Sequence, residues 1–307
     1  MVSIGYKVLF LTFSDGNIGY WLRYTVTEGV YGIKRYLWST VFKAGSPNGV
    51  RFPIDELSLS TDHGFNVVGP NLYFSSVDGV ARYDGDEYGW ALEVTGEPSY
   101  NPVPLILRLI RRRSRYIMVY PYALFRGVVN HGGAEYFVND ALGMVGYIAS
   151  NRYMHHWVWG HCTGFDGDPG GWLDILMVSP DGEKEVVFGA LKYLGKVYRI
   201  GGLMGSSFLG SYGLGFFKGR VGAGRLTLEF SFRADLSDLI VAKYEDPVEG
   251  IRFCHNSEVA DADLTIYLDG DQVGLGCKNR AFMEYVCPEL LDDSLASIVE
   301  LGGSNIE

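Results

Sequence analysis

Apolar and aromatic residues come in short runs broken by turn residues, and this pattern predicts strands along most of the chain. Residues 8–13, 19–27 and 36–42 open the series, separated by Ser14-Asp15-Gly16-Asn17 and Glu28-Gly29. Further strands are expected at 65–74, 79–83, 88–94, 116–120, 127–129, 135–138 and 144–149. The pattern resumes at 171–178, 185–191, 196–200, 211–218, 225–232, 239–243, 264–268 and 282–287. Asp84-Gly85, His131-Gly132-Gly133, Asp181-Gly182 and Asp269-Gly270 read as hairpin turns, because Gly, and less readily Asn and Asp, accept the positive φ such turns demand. Over 20–26 the alternation sets Trp21, Arg23 and Thr25 on one face, so Arg23 points either to solvent or into a ligand cavity.

Two segments read as helical. Residues 288–301 carry Leu291, Leu295 and Ile298 at helix spacing, between Pro288 and Gly302-Gly303. Residues 104–113 are the other, equally readable as an extended loop. A length of 307 residues favours two domains over one. The glycine-rich stretch 201–224 suggests a junction, and the boundary is placed near 190, giving units 1–190 and 191–307. No fixed-period repeat is visible, which argues against a propeller or solenoid.

Composition sharpens this. Gly is 41 of 307, about twice the usual ~7%, and 6 Trp, 21 Tyr and 17 Phe accompany it. That is the mixture of strands joined by tight turns, so the expected class is all-β. A 47% hydrophobic content excludes disorder. A net charge of −10 argues against a protein held to nucleic acid or anionic lipid by general electrostatics, and no nucleic-acid partner is expected. No window reaches about 18 uncharged apolar residues, and Lys7 and Asp15 interrupt the apolar stretch near the start. The expectation is a cytoplasmic protein without a signal peptide or transmembrane segment. Free thiols are the default for the 4 cysteines, with one pairing among Cys254, Cys277 and Cys287 left open.

The densest chemistry lies between Gly143 and Asp174, which hold His155, His156, His161, Trp157, Trp159, Trp172 and Cys162. In an extended segment His155, Trp157, Trp159 and His161 share a face, with His156, Val158 and Cys162 opposite. Two imidazoles and two indoles on one wall can hold an apolar ligand and orient or protonate it; the plain alternative is core aromatics with hydrogen-bonded histidines. Zinc on His155, His161 and Cys162, or on Cys254 and His255, fits no closed ligand spacing. Asp166 and Asp168 begin like a calcium loop, but Gly170 and Met177 fall where ligands belong. No metal site and no cofactor is implied.

Arg108, Arg111, Arg112, Arg113 and Arg115 form a basic cluster suited to a phosphate group or peripheral contact with a membrane surface, although charge runs are commonly solvated faces. Gly213, Gly215 and Gly219 depart from nucleotide-loop spacing and are flanked by strands. No GxSxG elbow is present.

Three features resemble the double-lipocalin family related to tocopherol cyclase and the carotenoid 1,2-hydratases (hydroxyneurosporene synthases). The first is Gly143-Met-Val-Gly146-Tyr147 leading into Trp157-Val-Trp159-Gly-His161, then an apolar strand and the Asp181-Gly182 turn. The second is Tyr120-Pro121-Tyr122 and Gly127 ahead of that block; the third is Cys254-His255-Asn256-Ser257 followed by Ala281-Phe282-Met283-Glu284-Tyr285. The resemblance spans about residues 115–287. It implies two calycin-like antiparallel β-barrels packed together, a cavity for a hydrophobic molecule, and cyclisation or hydration driven by protonation without a metal or organic cofactor. Where enzymes of this type carry an acid beside His and Trp-Gly, residues 149–154 hold no carboxylate.

The combined expectation is two lipocalin-like barrels with a short C-terminal helix, enclosing an isoprenoid- or lipid-like ligand in a barrel cavity. Binding is the safer part of this reading, and catalysis the further step. His155 or His161 would donate the proton. Trp157, Trp159 and Tyr147 would shield a carbocation, and Glu284 is an alternative acid if buried. Asn151, Arg152, His156 and Arg23 complete the expected ligand contacts. Two other classes remain open: a carbohydrate-binding or carbohydrate-active β-sandwich, with an open groove and paired carboxylates, and a scaffold whose barrels are filled by their own side chains.

Overall fold

The computed structural model describes residues 4–30, 32–110, 114–201 and 206–301, and within them the chain is almost wholly β. The opening strands are β1 (Gly5–Ser14), β2 (Ile18–Gly29), β3 (Gly32–Lys43) and β4 (Asn48–Pro53). Short strands follow: β5 (Ser58–Ser60), β6 (Asn66–Gly69), β7 (Leu72–Ser75), β8 (Val80–Tyr83) and β9 (Gly89–Gly96). A single-turn helix, α1 (Leu105–Ile110), precedes the long hairpin β10 (Arg115–His131) and β11 (Ala134–Ser150). These strands make one curled antiparallel sheet in the order β4-β3-β2-β1-β11-β10-β9-β8-β7-β6-β5.

The second curled sheet starts with β12 (His156–Phe165), β13 (Asp168–Ser179), β14 (Val186–Tyr193) and β15 (Lys196–Ile200). It continues through β16 (Ser206–Ser207), β17 (Leu209–Gly213), β18 (Phe216–Ala223) and β19 (Leu226–Arg233). Then come β20 (Ile240–Glu245), β21 (Ile251–Leu268) and β22 (Asp271–Cys287). Its main order is β15-β14-β13-β12-β22-β21-β19-β18-β17. The chain changes sheet between Ser150 and His156, while position 190 falls inside β14.

The turns at 132–133, 181–182 and 269–270 sit at hairpin ends with the required backbone, φ being 59° and 76° at Gly132 and Gly133, 89° at Gly182 and 97° at Gly270; Asp84-Gly85 also joins two paired strands but has a positive φ at neither residue. Period-two alternation explains the layering. From β1, Leu9, Leu11 and Phe13 enter the core inside the first sheet, while Tyr6, Val8 and Phe10 turn toward the second. From β12, Val158 and Cys162 enter the core inside the second sheet, and Trp159 turns toward the first. Three layers result: two sheet interiors and an aromatic layer between them. Gly146 leaves room for the Phe10 ring in that layer, since a Cβ there would lie 2.2 Å from it.

The expected C-terminal helix is absent, a correction to the helical spacing of Leu291, Leu295 and Ile298. Residues 288–295 are irregular with a turn at 293–294, and the segment then carries β23 (Ala296–Ser297) and β24 (Val299–Glu300), which pair in parallel with β20 and β4. Leu295 packs on the second core and Ile298 on the layer between the sheets, so the apolar positions serve different layers rather than one helical face. Unpaired backbone on β4 and β20 gives the segment hydrogen bonds that a helix would have made internally. Leu301 N donates to Arg51 O (2.8 Å), and the Arg51 guanidinium pairs with Glu300.

Cys162 and Cys277 are joined in the second core, so the pairing involves a cysteine outside the three considered; Cys254 and Cys287 are free and buried. Among the described residues no helix is long and apolar enough to cross a membrane.

Where the sheets meet, Glu258 of β21 is fully buried, accepting hydrogen bonds from Thr12 Oγ1 and Asn256 Nδ2. Burial pushes its pKa up to about 8. The folded protein therefore holds a proton that the unfolded chain releases near its ordinary value of 4.5. Its contribution to stability is whole below that value and is lost as pH rises through about 8, at about 1.4 kcal/mol per pH unit. Glu258→Gln is expected to melt above the wild type at alkaline pH, with the difference shrinking toward pH 5, as read by calorimetry across that range.

Candidate functional site

The same alternation that fills the aromatic layer leaves part of it empty. Val8 and Phe10 of β1, Trp21 and Arg23 of β2, Tyr116 of β10 and Ile148 of β11 face the second sheet. Trp157 and Trp159 of β12, Leu176 and Val178 of β13, Phe188 of β14, Tyr244 of β20 and Glu284 of β22 face the first. Between them lies a cavity of about 230 Å³, walled mainly by carbon and somewhat smaller than the usual ligand pocket. It lies between the sheets, a correction to the expected barrel cavity; inside each sheet, side chains form a packed core.

Val103 and Leu107 of the α1 region add to the lining. That segment is held on the second sheet: Arg199 donates to the carbonyls of Pro102 (2.9 Å) and Asn101 (3.0 Å), and Glu97 takes Trp172 Nε1–H (3.1 Å).

Four aromatic rings form a stacked group on the wall. Tyr153 lies 4.2 Å from Tyr6, 5.7 Å from Tyr244 and 5.8 Å from Trp157, centroid to centroid. Glu284 is half-buried beside them; its Oε1 accepts Trp157 Nε1–H (2.5 Å) and its Oε2 accepts Tyr244 O–H (3.2 Å). Strand register fixes this position, because Glu284 stands across from Trp159 on one side and Asn256 on the other. Arg23 is only 5% exposed, its guanidinium 4.2 Å from the Tyr244 ring centroid, 5.3 Å from Trp38 and 5.4 Å from Trp21.

A second acid stands beside the cavity, further along the same strand faces. Asp174 and His161 are cross-strand partners, both 0% exposed. Asp174 Oδ1 accepts Tyr116 O–H (2.7 Å) and Trp159 Nε1–H (2.8 Å), and lies 3.2 Å from His161 Nδ1. Among the described residues, Asp174 Oδ2 and His161 Nε2 are buried without a hydrogen-bond partner. Tyr116 thus links a carboxyl group outside the cavity to the cavity itself. Burial, then the Asp174 charge, raises the Tyr116 pKa well above its ordinary value, so it remains a phenol. Burial does the same for Tyr6 and Tyr244, and pushes Tyr153 up to about 12.

Of the residues expected from sequence, Arg23, Trp157, Trp159 and Glu284 meet at the cavity, and His161 stands beyond its edge in the same layer with Asp174. His155 and His156 do not line it: β12 begins only at His156, so the face shared by Trp157, Trp159 and His161 stops short of His155. Their Nδ1 atoms lie 3.1 Å apart, and His156 Nε2 lies 3.1 Å from Tyr212 Oη. Burial, then His155, lowers the His156 pKa. Tyr147 packs inside the first sheet, 5.4 Å from Phe65. Asn151 and Arg152 are exposed in the link between sheets. Arg115 lines the cavity and Arg108 lies in α1, whereas Arg111, Arg112 and Arg113 fall outside the described residues.

Sequence reasoning missed Tyr6, Tyr116, Tyr153, Asp174 and Tyr244. Asp174 had a signal, a carboxylate inside the apolar run Trp172-Leu173-Asp174-Ile175-Leu176. Among the described residues no group of three or more His, Cys, Asp or Glu side chains is arranged to hold a metal ion.

Fold and cavity together define an all-β protein of two lipocalin-like sheets, with an apolar site where they meet. No family model and no curated protein matches the sequence. Solved structures do. A putative AttH from Nitrosomonas europaea is similar at a TM-score of 0.52 and 12% identity, over 94% of this chain and 93% of that one. Kievitone hydratase from Nectria haematococca is similar at 0.54 and 9% identity, over 93% and 89%. CghA is similar at 0.61 and 8% identity, over 93% and 88%. At these identities the likeness is one of fold, the double-lipocalin arrangement.

Asp174→Ala removes the acceptor shared by buried donors and is expected to cost about 3–5 kcal/mol. Tyr116→Phe removes one donor and is expected to cost about 1 kcal/mol. Urea unfolding of the two variants checks both values and their order.

Proposed function

We propose that this protein binds a compact hydrophobic molecule, isoprenoid- or lipid-like, between its two sheets and hydrates or cyclises it by proton transfer. The observation that carries this reading is a carbon-walled cavity with a carboxyl group, Glu284, on its surface. A sugar site would call for an open groove with paired acids, and Trp157 and Trp159 face an apolar hollow instead. A hydratase by name, kievitone hydratase, is among the proteins sharing the fold, which agrees with this reading.

The proposed step begins with Glu284 protonated. Its proton goes to one carbon of a ligand double bond, leaving a cation at the other carbon and a carboxylate on the protein. Water adds to that cation and returns a proton to Glu284, giving net hydration. Alternatively a second double bond attacks, and loss of a proton to Glu284 closes a ring. The faces of Tyr6, Tyr153, Trp157 and Tyr244 lower the energy of the cation, worth up to about 2 kcal/mol for each desolvated contact. Asp174 and His161 do not touch the ligand in this scheme; they position Tyr116 and Trp159.

Organic extraction of the purified protein, followed by mass spectrometry, is expected to recover a hydrophobic compound at about one per chain. Incubating that compound with protein in heavy water is expected to place deuterium on carbon, with Glu284→Gln slowing incorporation about 10²–10⁴-fold. Recovery of no compound, together with no uptake of hydrophobic probes, overturns the binding reading. Binding without deuterium incorporation overturns the catalytic one.

A further inference from the structure

The cavity wall holds a cation with a buried nitrogen that meets no hydrogen-bond partner among the described residues. Arg23 is almost completely buried, lines the cavity, and has an Nε without a hydrogen-bond partner. Its neighbours at close range are the ring faces of Tyr244, Trp38 and Trp21. Ring faces attract the charge but leave the N–H groups of a guanidinium, which lie in its own plane, without lone pairs to meet. Among the described residues no carboxylate oxygen comes within 4.0 Å of it, so Glu284 acts on Arg23 only through space. Both Glu284 oxygens already take donors, from Trp157 and Tyr244.

Placing a guanidinium in such a site costs several kcal/mol in lost hydration. The aromatic cage offsets part of that cost, and it also fixes the group in one place. A planar fork of donors held rigid at an apolar wall is what recognises a carboxylate or another acidic oxygen pair.

We infer that the ligand is amphipathic, with a hydrocarbon body and an acidic oxygen group, a carboxylate or acidic enol, that docks on Arg23. This rests on the cavity being a ligand site, as proposed above, and it narrows the substrate class from apolar molecules in general to hydrophobic acids. The acid is anchored at Arg23 while the hydrocarbon body fills the space beside Val8, Phe10, Ile148, Val178 and Phe188. One end fixed by charge sets which bond of the body meets Glu284.

Three probes with one naphthalene body separate the possibilities: naphthalene-2-carboxylate, neutral 2-methylnaphthalene and the cationic 2-naphthylmethylammonium. Titration calorimetry near neutral pH is expected to show the wild type binding the carboxylate about tenfold or more tighter than the neutral probe, with the ammonium weakest. Arg23→Met is expected to bring carboxylate and neutral probe within about threefold of each other. Arg23→Lys, keeping the charge but not the fork, is expected to retain a smaller preference, and serves if the methionine variant does not fold. Equal binding of carboxylate and neutral probe by the wild type, a preference for the ammonium, or a carboxylate preference that survives in Arg23→Met overturns the inference and leaves the cavity reading standing. Failure of all three probes to bind overturns the cavity reading, and this inference with it.

Discussion

The central stretches of the long strands, such as β1 and β12, have two faces that need cover, and that requirement organises everything else. In β1 nearly every position from Val8 to Ser14 is buried, although a strand in a half-solvated sheet would alternate. Curling a sheet covers one face with its own side chains. The other face can be covered only by a second sheet with an equally apolar exterior. Trp21, Trp38, Phe10, Trp159, Trp172 and Phe282 are therefore exterior residues of sheets and interior residues of the molecule. Large rings on two curved surfaces do not interdigitate everywhere, and the cavity lies where they fail to.

The polar groups around that cavity follow from the same constraint. A charged or hydrogen-bonding side chain placed on an outer face is trapped when the faces close, and must find partners there. Asp174 finds three donor groups, and Glu284 finds two. Arg23 finds rings. The result is a mainly apolar wall on which a carboxyl group and a guanidinium are held in place.

Most of the fold was legible because its signals are local. Period-two runs, Gly-bearing turns and the abundance of Trp, Tyr and Phe report strands directly, and parity correctly set Trp157, Trp159 and His161 on a common face. The resemblance to double lipocalins supplied the pairing of two curled sheets, which composition alone does not specify. What was not legible depends on contacts far apart in sequence. Tyr116 meets Asp174 across 58 residues and Tyr244 meets Glu284 across 40, so nothing near Tyr116 or Tyr244 marks them. The helical spacing at 288–301 misled for the same reason: Leu295 and Ile298 pack on different layers set by distant strands, and Leu291 is exposed. His155 was misplaced by a boundary, since parity holds only once a strand has begun.

The terminal segment that clasps both sheets has a further consequence. The first sheet contains the early strands and, through β24, residues 299–300, so the entire second sheet is topologically an insertion within it. Until β24 arrives, the backbone along the outer side of β4 is a bare row of donors and acceptors, open to a strand from any neighbouring molecule. The clasp is thus a guard against self-association as much as a fastening. Chains lacking it would exchange an internal pairing for an intermolecular one.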